Sequence, residues 1–210
     1  MGLLLKLALF PLHLWLPNAY TYAPAVVGAL MAVVTKVWIY AFLRFAFTVW
    51  GGEVSFAEIG FQAVLLPLSL AAVLLGSAVA LVQSNLKRML AYSSVAQIGY
   101  IVLGISFVSV TGLTGSLVHL FNHALMKAAL FLCAGAFALR MGATELNQLR
   151  GLGARMPLTT LAFVVGGLSL TGMPLTVGFV SKWYLVLAAL ERGWWPVAVV
   201  LLLASLLAVA

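Results

Sequence analysis

This chain has almost no charge to present to water. Charged residues make up 7% of its 210 residues and apolar residues 65%. A soluble domain of that length needs far more polar surface to cover one core. Aspartate is absent, and the acidic residues are the four glutamates Glu53, Glu58, Glu145 and Glu191. The single cysteine, Cys133, excludes an internal disulfide and any thiolate cluster, and in its apolar run it reads as a small buried hydrophobe. There is no dinucleotide-binding glycine motif and no convincing haem-ligand pair, so no catalytic redox residue and no cofactor is assigned. The net charge of +7 comes from basic residues scattered singly. Without a basic polar domain, that charge does not point to nucleic acid. No signal peptide is read, because Lys6 lies inside the first apolar run and no small-residue cleavage site follows it.

What remains is a succession of long apolar runs, and such runs read as membrane spans. Only helices and closed barrels satisfy the backbone in lipid. A barrel shows alternating strands of about ten residues, whereas these runs are long and unalternating. The expected fold is an all-α polytopic membrane protein, with long spans near 24–49, 61–83, 89–109 and 113–139. Residues 1–16 read as an incomplete span broken near Pro11, followed by a short segment around 15–22. The region 157–190 makes a helix of roughly 50 Å against a hydrocarbon core of about 30 Å. Its middle reads TGMPLTVG, where Gly172, Pro174 and Gly178 interrupt the ladder of hydrogen bonds. A second discontinuous helix is therefore expected, of the kind that lines ion sites. The last run, from about 194, is still apolar at Ala210 and reads as a span cut short. Loops 84–88 and 140–156 carry Lys87, Arg88, Arg140, Arg150 and Arg155 against Glu145 alone. Glu53, Glu58 and the pair Glu191 and Arg192 fall on the other side. The positive-inside rule places the basic loops in the cytoplasm.

Against this apolar background a few ionisable residues lie inside the spans. Lys36 is about 18 Å along its helix, near mid-membrane, where snorkelling is strained and function is the better reading. In HLFNHALMK, His119, His123 and Lys127 are spaced i, i+4, i+8 and share one helix face over roughly 12 Å. This ladder suits proton transfer. Taken singly, each histidine reads as a group satisfied by neighbouring helices. Zinc needs a further ligand that the sequence does not place nearby. Lys182 follows Pro174, and Lys6 precedes Pro11, so each broken helix carries one lysine, as a pair of inverted repeats can produce. Lys6 reads almost equally well as an end-of-span anchor, and His13 as a structural hydrogen-bonding group. Ser93, Ser94 and Gln97 either hold water near the ladder or join helices. Any carboxylate partner for these groups must come from another segment.

Four stretches, FPLHLWLPNAYTYAPAVVGALMAVVTKVWIY, SNLKRMLAYSSVAQIGY, HLFNHALMKAALFL and GMPLTVGFVSKWYL, together resemble the proton-conducting antiporter family. That family includes the antiporter-like subunits of respiratory complex I and the large subunits of Mrp-type sodium/proton antiporters. The wording looks closest to the D-type large subunit of the Mrp antiporters. The resemblance implies about fourteen helices in the whole fold, with two inverted repeats and broken helices seven and twelve. On that register the chain holds about seven transmembrane helices. Residues 1–50 end the first repeat, and 51–210 form the second. The resemblance makes Lys6, Lys36, His119, His123, Lys127 and Lys182 the proton-translocation residues, and Pro11, Gly172 and Pro174 the helix breaks. The family's glutamate on the fifth helix would precede Met1, so the chain resembles a fragment or one part of a split subunit. The implied partners are the lipid bilayer, other membrane subunits and protons, with Na+ as a second ion. The implied location is the bacterial plasma (inner) membrane. The alternatives are a pumping subunit of an NADH:quinone oxidoreductase or hydrogenase-type complex, and a non-transporting assembly piece.

Overall fold

The computed structural model describes residues 2–208, and every long element in it is helical. The continuation of the last run to Ala210 lies outside the described residues. Helices α1 (Gly2–Leu7) and α2 (Trp15–Tyr22) are separated by a break holding Pro11, and α3 (Ala25–Arg44) continues as a π-helical turn to Val49. Then follow α4 (Phe61–Leu81), α5 (Leu86–Ser106) and the long α6 (Val110–Met141). A four-residue helix, α7 (Leu152–Arg155), leads into α8 (Pro157–Thr171), α9 (Val177–Glu191) and α10 (Trp195–Leu207).

Among the described residues, four helices are long and apolar enough to cross a membrane: Ala25–Val49, Phe61–Leu81, Leu86–Ser106 and Val110–Met141. The chain is thus an integral, multi-pass helical bundle with discontinuous helices. The sequence count of about seven spans is met by four of full length, because the other helices are individually short.

Capping explains where the long helices begin and end. The Asn85 side chain accepts from the Arg88 N–H at 3.1 Å, and Ser109 accepts from Gly112 at 3.0 Å. Gly142 takes the left-handed conformation that closes α6. The second break forms the same way, with Gly172 at φ +87° ending α8. Pro174 follows in the turn, and α9 starts after Thr176. Gly178 corrects the sequence reading: it lies in the first turn of α9, not in the break. Its missing side chain makes room for the Ser169 carbonyl of α8.

Helix α6 is central, packing against α3, α5, α8 and α9. Without a hydrophobic drive between helices in lipid, close approach depends on small residues. Gly104 of α5 and Gly112 of α6 meet so tightly that a Cβ on either would sit 2.8 or 2.6 Å from the other's carbonyl oxygen. Between α4 and α5, Gly76 faces the backbone of Ala96.

The two basic loops share one end of the bundle. Leu86 N–H donates to Thr144 at 2.9 Å, and Leu146 N–H donates to Ser84 at 3.0 Å, joining them in a short β-bridge. At the other end Thr111 donates to Glu191 at 3.1 Å, and Arg192 donates to the Val108 carbonyl at 2.7 Å.

Gly178→Val should drive α8 away from α9 and cost about 1–3 kcal/mol or more. Gly167→Ala, where a Cβ meets nothing within 4 Å, should be neutral or stabilise by up to about 1 kcal/mol. Thermal unfolding of both variants in detergent checks the contrast.

Candidate functional site

Taking ammonium and imidazole groups out of water is costly unless they find oxygen or nitrogen partners. Lys36, His119, His123, Lys127 and Lys182 are all buried. Their helices α3, α6 and α9 pack in that order, with α6 in the middle. The polar groups therefore form a row across the bundle.

On α6 the i, i+4, i+8 spacing holds. The His119 and His123 rings stack with centroids 6.1 Å apart and planes 8° from parallel. Lys127 donates to the Leu90 carbonyl at 2.6 Å and to the Ser93 hydroxyl, both on α5. His119 Nε2 lies 2.7 Å from Gln97 Oε1, and its Nδ1 lies 2.7 Å from the Ser181 hydroxyl of α9. An amide oxygen only accepts, so Nε2 carries the hydrogen. The neutral ring then accepts from Ser181 through Nδ1. When the ring gains a second proton, Nδ1 becomes the donor. The Ser181 hydrogen then turns to the Gly178 carbonyl, 3.0 Å away. One hydroxyl rotation thus couples the charge on His119 to the first turn of α9. His123 differs, because neither of its buried ring nitrogens has a protein partner among the described residues.

Lys36 donates to Thr35 at 3.2 Å, and the Tyr20 hydroxyl lies 3.5 Å from the same oxygen. Lys182 donates to the Thr171 carbonyl at 2.9 Å and to Ser205 at 3.2 Å. Thr171 ends α8, so the break at Gly172 frees this acceptor and turns the negative end of the α8 dipole toward the lysine. The Lys182 chain crosses Gly172 so closely that a Cβ there would lie 2.9 Å from its Cδ.

The structure does not bring Lys6 into this row. It is exposed on α1, with its ammonium 5.7 Å from the centre of the Trp38 ring. His13 packs its ring against Phe10 and Tyr92. The four glutamates lie in loops or at helix ends, away from the row. Among the described residues no group of three His, Cys, Asp or Glu side chains is placed to hold a metal. Gln97 and Ser93 join helices, which was one of their two sequence readings. Tyr100, Ser181 and Ser205 were not singled out. Ser93, Gln97 and Tyr100 do stand at i, i+4, i+7, a visible face of α5. Ser205 is a lone polar residue in a run of leucines and alanines. Ser181 carries no periodic signal beyond its place beside Lys182.

Residues 1–208 match the family model described as NADH:quinone oxidoreductase/Mrp antiporter, TM. The chain belongs to this family. It is 48% identical over 211 residues to NADH-quinone oxidoreductase subunit N of Desulforudis audaxviator, covering 98% of this chain and 41% of that protein. It is 34% identical over 204 residues to the D-type Na(+)/H(+) antiporter subunit of Alkalihalophilus pseudofirmus, covering 97% and 41%. Its fold matches a chain in the Mrp complex from Dietzia sp. DQ12-45-1b with TM-score 0.90 and 35% identity, covering 99% and 38%. The chain thus spans about two fifths of the length of these family relatives. The relatives thus include both the Mrp antiporter subunits and the quinone-oxidoreductase subunits that the four motifs resemble.

Gln97→Leu leaves the His119 Nε2–H without an acceptor and should cost about 1–3 kcal/mol. Adding His119→Leu should recover at least part of that loss. The comparison is read by thermal unfolding in detergent.

Proposed function

We propose that this family member is a membrane-embedded subunit that conducts protons through a lysine and histidine half-channel, as in a multisubunit cation/proton antiporter. Na+ is a candidate coupled ion. Lys36, His119, His123, Lys127 and Lys182 carry the protons, and Lys6 serves at the first break. One observation carries the reading. Among the described residues, Lys36, His119, Lys127 and Lys182 of the buried row are held by hydroxyl, amide and carbonyl oxygens, with no carboxylate among these partners. Separating a buried ion pair is expensive, because it leaves an uncompensated charge. A lysine held by neutral oxygens passes its proton on without that penalty.

A second reading is supported by the 48% identity with an NADH-quinone oxidoreductase subunit N. On that reading the same route belongs to a proton-pumping subunit of a redox-driven complex. In both cases residues 1–50 close one repeat and 51–210 belong to its inverted counterpart. Each broken helix counts as one span and α10 as another, which gives about seven in all. The end bearing Arg88, Arg140, Arg150 and Arg155 faces the cytoplasm, across a bacterial plasma membrane. Other membrane subunits complete the complex.

The test uses the subunit assembled with its partners in proteoliposomes. Lys127→Ala and Lys182→Ala should each lower proton or sodium-coupled flux about tenfold or more, a barrier change of about 1.4 kcal/mol or greater, at unchanged assembly. Unchanged flux in both would leave a non-transporting assembly role.

A further inference from the structure

Lys182 sits where four helices meet. Besides the Thr171 carbonyl of α8 and the Ser205 hydroxyl of α10, its ammonium lies 4.7 Å from the centre of the Tyr100 ring on α5. Tyr100 is buried, and its hydroxyl donates to the Leu201 carbonyl at 3.2 Å. The same hydroxyl lies 3.2 Å from Ser205 Oγ, the oxygen that also receives Lys182. The Tyr100 ring also adjoins His119, with centroids 5.9 Å apart. Tyr100 therefore stands between the last member of the α6 row and the lysine beside the second break. His119 on α6 is the other titratable group at this junction.

We propose that Tyr100 is the positioning residue for Lys182. The face of its ring receives the ammonium, beside Ser205, the second ligand. The inference rests on Lys182 belonging to the translocation route. A ring face attracts a cation through its quadrupole, and more strongly when both are desolvated. The attraction acts on the charged form alone. A protonated Lys182 is drawn to the ring and so toward His119. A neutral Lys182 keeps the Thr171 and Ser205 contacts and loses the pull of the ring. The ring thus adds to the hold on Lys182 only while the lysine carries its charge. A carboxylate in place of the ring would hold the ammonium too firmly to give it up.

The test separates ring electrostatics from ring shape in the complex reconstituted in proteoliposomes. Tyr100→Phe keeps the ring and should retain flux within about threefold of the parent. Trifluoro- and pentafluorophenylalanine at position 100 keep a six-membered aromatic ring of similar size but weaken and then reverse its quadrupole. Flux should fall stepwise along this series, to about tenfold below Tyr100→Phe, with assembly unchanged. A packing role would leave the series flat, and a flat series overturns the proposal. So does a Tyr100→Phe variant as inactive as the pentafluoro one, which would assign the effect to the hydroxyl. Lys182→Ala in the same preparation should lower flux about tenfold or more. If it does not, the channel assignment fails, whatever the fluorinated series shows.

Discussion

The arrangement depends on one constraint: a lysine ammonium buried among helices must find oxygen acceptors, and among the described residues none of those beside Lys127 or Lys182 is a carboxylate. Lys127 finds them in the Leu90 carbonyl and the Ser93 hydroxyl. Lys182 finds them in Thr171 and Ser205. Inside unbroken α5 the Leu90 carbonyl is shared between the helix and Lys127, whereas ending α8 at Thr171 frees a carbonyl for Lys182. Gly172 ends it, Pro174 prevents its continuation, and Gly178 lets α9 restart against the Ser169 carbonyl. The break is thus part of how the lysine is accommodated, and the tight glycine contacts around it follow from bringing the helices close enough for short side chains to reach.

Much of this was legible in the sequence, because two of the signals are strong. Hydrophobic length placed the four full spans to within a few residues, since lipid leaves the backbone no other solution. Spacing placed His119, His123 and Lys127 on one face, and α6 keeps them there. What was not legible depends on contacts between helices distant in sequence. Lys6 and Lys182 look alike as lysines beside prolines, yet one is exposed beside Trp38 and the other is enclosed by α5, α8 and α10. Local pattern cannot separate them, because the difference lies in which helices pack around each. Tyr100 was missed for the same reason. A tyrosine in an apolar helix is ordinary, and its importance comes from Lys182, which is 82 residues away by numbering and 4.7 Å from its ring. Gly178 was misread because glycine can serve either a break or a close contact.

The two histidines on α6 show how one residue type is put to different uses. His119 is bonded at both nitrogens and tied to α5 and α9. His123, one turn further on, is bonded at neither. The first has its tautomer set by Gln97, so adding or removing its proton rearranges Ser181. The second can carry its hydrogen on either nitrogen without disturbing a neighbour. A row with alternating committed and uncommitted rings has both a fixed point and a free one.

The burial of α5 has a consequence for how the bundle is built. From Val95 to Ser106 it is enclosed on every side, and it is the least apolar of the four long helices. The partners of its polar face, His119 and Lys127 on α6 and Lys182 on α9, all come later in the chain. During synthesis α5 therefore leaves the ribosome before the groups that satisfy Ser93, Gln97 and Tyr100 exist. Its immediate predecessor, α4, is the most apolar of the four and is joined to it by residues 82–85. The two can enter the membrane as a hairpin, with α4 supplying the insertion energy that α5 lacks until α6 arrives.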